Sequence, residues 1–166
     1  MKLLRKQDRS EAGITLVEVL FAAALMAGFF ASIFELNAVC LRYIDASKET
    51  IAALESVHDR CETLRNLAFT DLTNTSYLQG LMANAANTSD FCKKATETVK
   101  VSAYPTANGV TQLTRTPNGS VTTNSTATSL GSTLVQVDVS TSWNLALNGR
   151  SRSEQITTFV SNGSKK

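Results

Sequence analysis

The chain has 166 residues, with 16 basic and 14 acidic side chains, one histidine and three cysteines. That near-balance lacks the basic stripe on which general nucleic-acid binding depends, so no general nucleic-acid binding is expected. A lone histidine, with no phosphate-cradling glycine loop, no pair of Cys-x-x-Cys and no His-Glu-x-x-His, supplies no enzyme, cofactor or metal motif.

Residues 1–13 carry Lys2, Arg5, Lys6 and Arg9 against Asp8 and Glu11, a net basic head closed by Gly13. An apolar tract of 21 residues follows at once, Ile14 to Phe34, interrupted by a single ionisable group, Glu18. At about 1.5 Å per residue this is a helix of roughly 31 Å, long enough to cross a hydrocarbon core. Basic charge flanking an apolar span stays on the cytoplasmic side, which puts the rest of the chain outside the membrane. A cleaved secretory signal has an apolar core of only ~7–15 residues and is the poorer description. An uncleaved anchor satisfies hydropathy equally well. One carboxylate near the start of such a helix costs ~2–3 kcal/mol unless something pairs with it, so Glu18 calls for a partner.

Gly13 followed by Ile14-Thr15-Leu16-Val17-Glu18 resembles the processing signal of type IV prepilins and type II secretion pseudopilins. The resemblance implies that a prepilin peptidase cuts after Gly13 on the cytoplasmic side and methylates the new amine on Ile14. It implies that Glu18, fifth after the cut, pairs with the N-terminal amine of a neighbouring subunit during filament assembly. It also implies an inner-membrane protein with a cytoplasmic leader and a periplasmic or extracellular head, whose partners are the peptidase and other pilin or pseudopilin subunits. The family usually begins its mature chain with Phe, where this one has Ile14, and many major pilins carry a helix proline that is absent here. Both departures point to a minor pilin or pseudopilin. The stretch from Trp143 to Arg152 faintly resembles hairpins of PilV-like minor pilins. Nothing in the residues chooses between a type IV pilus and a type II secretion filament.

Without the head's four basic and two acidic residues, the remaining chain has twelve of each sign. Beyond the membrane tract there is length for one small domain with a modest core. After Phe34 the apolar residues become periodic: Leu54, Val57, Cys61, Leu64 and Ala68 mark one helix face. Glu55, Asp59, Arg60, Glu62 and Arg65 take the remainder. One helix is therefore expected from about Ile14 to about Leu67, with the tract 14–34 in lipid and the amphipathic part, 35–68, against a globular head, 69–166.

His58 and Cys61 at i, i+3 are only two of the four ligands a structural zinc takes, so His58 reads as a solvated helix residue. In an oxidising compartment Cys61 with Cys92 is the better disulfide pairing, because Cys40 and Cys61 on one helix are ~31 Å apart. The alternative is three reduced thiols packed as small apolar residues. Asp71, Asp90, Glu97, Asp138 and Glu154 are scattered, and their spacing leaves a loop calcium site undecided.

In the head, residues 70–94 read as an irregular connection with a short helix around Tyr77–Ala86. Strands follow at Thr96–Tyr104 and, more weakly, Val110–Thr116, bounded by Asn108-Gly109 and Pro117-Asn118-Gly119. Residues 120–130 are nearly all Ser, Thr, Asn and Ala, an exposed loop or an edge hairpin. Thr133–Trp143 alternates Val135, Val137 and Val139 with polar neighbours, and Asn148-Gly149 turns it into Ser153–Val160, whose core residues are Ile156 and Phe159. The fold class is α+β: a long N-terminal helix, transmembrane and then amphipathic, laid on a small antiparallel sheet. The pilin resemblance implies the same arrangement. A second functional class is an anchored, unpolymerised binding module using the 117–131 loop, against the plainer reading of that loop as a solvated linker.

Overall fold

The computed structural model describes residues 15–131, 133–146 and 148–163. The leader, with Gly13 and Ile14, lies outside these. Helix α1 runs Leu16–Arg65, and short helices follow: α2 (Phe69–Leu72), α3 (Thr75–Met82) and α4 (Asp90–Lys94). Five strands complete the chain: β1 (Thr96–Ala103), β2 (Thr111–Arg115), β3 (Val121–Ser125), β4 (Leu134–Asn144) and β5 (Ser151–Ser161). The chain divides into two units, Met1–Leu41 and Arg42–Lys166.

The second unit holds the sheet, ordered β3-β2-β1-β4-β5 with every neighbour antiparallel. The expected hairpin of β4 and β5 is present, with Val139 opposite Ile156 and Trp143 opposite Arg152. β1 inserts between β2 and β4, so its register with β4 (Val99 opposite Val139) joins the two hairpins. The Ser/Thr-rich segment forms the edge strand β3 against β2. Gly109 is required at the opening of that hairpin: its φ is +100°, and a Cβ there would come within 2.4 Å of the Thr126 carbonyl oxygen.

Period-two alternation turns one face of the sheet to the helices. Val99 and Val101 of β1, Leu113 of β2, and Val135, Val137 and Val139 of β4 are fully buried there. Val57, Cys61 and Leu64 of α1 cover them, joined by Leu72, Leu78 and Met82 of α2 and α3. Ile156 of β5 is half-buried against this core, whereas Phe159 points outward and stacks edge-on with Tyr104, ring centroids 4.8 Å apart. Phe159 is thus not a core residue; the strand's inward positions are the even-numbered ones.

The buried stripe of α1 keeps Val57, Cys61 and Leu64 from the sequence reading but is wider, taking in Ala53, Ser56 and Arg60 as well. Leu54 is 47% exposed, and its neighbour Ala53 is buried in its place. Ala53 and Leu54 are both apolar and compete for the face, and the smaller one allows the close approach. Ala68 is exposed and caps α2, because α1 ends at Arg65.

The connection before the sheet is more helical than expected. α3 starts at Thr75, where the Asn74 side chain accepts hydrogen bonds from the Ser76 and Tyr77 amides at 3.0 and 3.2 Å. α4 is capped by Ser89, whose Oγ accepts from the Cys92 amide at 3.2 Å.

The expected Cys61–Cys92 disulfide is not formed: all three cysteines are free, Cys40 exposed and the other two buried. Cys61 is packed into the apolar core, while α4 holds Cys92 beside Arg115, which donates to the Cys92 carbonyl. Burial pushes the Cys61 thiol up, reinforced by the Glu62 charge and opposed by Arg65 and a hydrogen bond with Thr158. Iodoacetamide at about pH 8 should therefore modify only Cys40 in the folded chain, and all three thiols after denaturation without reductant. Intact mass distinguishes this from a disulfide, which leaves one adduct under both conditions.

Candidate functional site

The membrane-facing candidate is the first part of α1. It is one helix long and apolar enough to span a membrane. Alanines and other good helix formers fill it, no proline interrupts it, and Gly28 is its only glycine. From Leu16 to Phe34 every side chain is exposed, Leu25 at 75% and Phe21 at 69% among them. Such a continuous apolar surface far exceeds what a soluble domain leaves in water.

Thr15 opens the helix: its Oγ1 accepts from the Glu18 amide at 3.3 Å, and its carbonyl accepts from the Val19 amide at 3.2 Å. Glu18 thus stands in the first turn, exposed, where the helix dipole favours a carboxylate. Among the described residues, no cation forms an ion pair with it. Ala22, Ala23, Ala24, Ala27, Gly28 and Ala31 give this segment a small-residue surface, and a Cβ added at Gly28 would meet nothing within 4 Å. Ser32 donates its hydroxyl to the Gly28 carbonyl at 2.9 Å, which removes its own polar demand inside the span.

The structure scatters the remaining candidates. His58 is exposed while Cys61 is buried, so the pair does not face a common site. Among the described residues, no group of three or more His, Cys, Asp or Glu side chains is placed to hold a metal.

No family model, no curated protein and no solved structure matches this chain.

Two arrangements in the head were not legible from spacing alone. The first is a buried charge triad. Arg60 of α1 donates Nε to Glu97 Oε1 at 2.5 Å and Nη2 to Glu97 Oε2 at 3.1 Å. Arg115 of β2 donates Nε to Glu97 Oε2 at 3.4 Å. The outer guanidinium nitrogens are used as well, Arg60 Nη2 donating to the Asn84 carbonyl at 2.7 Å and Arg115 to the Cys92 carbonyl. All three side chains are nearly fully buried. The triad fastens the helix, two strands and the 83–95 connection to one another, and its buried atoms are hydrogen-bonded, which suits a structural role. A signal was present: Glu97 and Arg115 stand at the inward positions of strands whose other inward residues are Val99, Val101 and Leu113. The second arrangement is the Phe91–Trp143 pair, which no sequence spacing links.

Proposed function

We propose that this chain is a minor pilin or pseudopilin. It is held in the inner membrane by residues 14–34, cut after Gly13 by a prepilin peptidase, methylated on Ile14, and assembled into a filament through its N-terminal helix. The reading rests on one conjunction: a first stretch of α1, Leu16 to Phe34, that is continuously exposed and apolar, and whose only ionisable residue, Glu18, stands in the first turn, directly behind Gly13-Ile14-Thr15 in the sequence. A helix in lipid gains little from apolar burial alone, so close packing and paired polar groups drive association. The small residues supply the first, and Glu18 with a neighbour's terminal amine supplies the second. The sheet domain is the part displayed on the filament surface.

Intact mass and N-terminal sequencing of the membrane-extracted protein test this. With prepilin peptidase present, the chain should begin at Ile14 with one added methyl; without it, the chain should retain Met1–Gly13. Retention of the leader in the presence of the peptidase would reduce the protein to an anchored surface module and remove the role given to Glu18.

A further inference from the structure

α1, α4 and the end of β4 leave between them a recess of about 390 Å³ in the head. That is within the range of small-ligand and side-chain sites, ~300–1,000 Å³. Its floor is the Phe91–Trp143 pair, edge to face with ring centroids 5.5 Å apart. Trp143 is 8% exposed and packs with Ala53, Ala95 and Leu145. Its Nε1–H is enclosed and has no hydrogen-bond partner.

The wall carries Glu49 of α1, half-buried, its Oε2 accepting the Ala146 amide at 3.3 Å. That one hydrogen bond orients the carboxylate and leaves its other oxygen open. Among the described residues, no cation forms an ion pair with Glu49. Asp90, Lys94 and Asn144 form the exposed rim. A hydrogen bond from Lys93 and the Lys93 charge, with a contribution from Lys94, hold the Asp90 carboxyl below the usual carboxylate range.

The position of these charges decides which ligand fits. Lys94 is a long, solvated rim side chain whose field is screened by water. Glu49 is partly withdrawn from water beside two aromatic rings, and ring faces attract cations and disfavour anions. An anionic ligand would meet the Glu49 carboxylate, partly withdrawn from water. A cation on an apolar stem meets a counter-ion at its head and aromatic carbon along its length.

We propose that this recess binds an arginine or lysine side chain of a partner protein, with Glu49 as its counter-ion and the Phe91–Trp143 pair as its floor. All the residues involved lie in the second unit, and the site is independent of processing at Gly13. Failure of the filament reading therefore leaves it standing, and the reverse holds too.

Trp143 is the protein's only tryptophan, so its emission reports on the recess directly. The full chain in detergent micelles should give a saturable change in emission with N-acetylarginine amide and none with the neutral citrulline analogue. Glu49→Gln keeps an oxygen for the Ala146 amide and should weaken binding about tenfold. Asp90→Asn, at the solvated rim, should weaken it by about twofold, and Lys94→Gln, which removes the like charge, should tighten it by a similar factor. No saturable change up to about 50 mM probe overturns the proposal, as do an equal response to the citrulline analogue or an unchanged affinity in Glu49→Gln. Stronger binding of N-acetylglutamate amide than of the arginine probe overturns it as well.

Discussion

Replacing Glu97 with alanine should lower the unfolding midpoint of the head by at least about 10 °C, read from Trp143 emission in the full chain. The substitution leaves the guanidinium groups of Arg60 and Arg115 buried at 3% and 4% side-chain exposure with their shared counter-ion gone. Breaking a buried ion pair from one side costs ~3–5 kcal/mol, because the remaining charge stays out of water without compensation. A domain of this size is stable by only ~5–15 kcal/mol, so the loss is a large share of the total. The triple variant R60M/E97L/R115M removes all three charges and should be less destabilised than Glu97→Ala, despite the greater change in sequence. An ordering in which the triple variant is the worse of the two would show that the carbonyl bonds to Asn84 and Cys92 matter more than charge burial.

The second large effect is expected at the other end of the chain. Glu18→Ala should insert in the membrane and be cut normally, since it removes a charge from lipid and leaves the Gly13-Ile14 junction intact. On the proposed filament reading, its incorporation into filaments should fall at least about tenfold, because a neighbour's terminal amine would then enter the bundle without its counter-ion. Quantitative immunoblotting of sheared filaments against membrane pools measures the ratio. Incorporation equal to wild type would sink the pairing role while leaving processing untouched. Glu18→Asp separates charge from reach: the shorter carboxylate keeps the sign but withdraws the oxygens, so an intermediate value is expected.

The two substitutions probe charges of opposite legibility. Glu18 is conspicuous in sequence because nothing else in Ile14–Phe34 ionises. Glu97 looked like one of several scattered carboxylates, although its place two residues before Val99 put it on the inward face of β1. Arg60 fell on the presumed polar side of α1, but it stands three residues after Val57 and next to Cys61, on the flank of the buried face. The hairpin of β4 and β5 was readable from alternation and an Asn-Gly turn, both local properties of the chain. The insertion of β1 between β2 and β4 was not, because strand order depends on which apolar faces can be covered together. The cysteines show the same limit: spacing along a helix excluded Cys40 with Cys61, but only packing separates Cys61, in the main core, from Cys92 on α4.

By itself the sequence determined what periodicity and transfer energetics control: a membrane-length helix with one carboxylate in it, an amphipathic continuation, and four of the five strands to within two residues in an α+β domain. The tertiary structure decided which face of that helix is buried, that Arg60, Glu97 and Arg115 meet, and that Glu49, Phe91 and Trp143 line one recess. These groups are separated by 18 residues or more along the chain. No local pattern encodes their meeting, because it follows from the lowest-energy way of covering the whole sheet face at once.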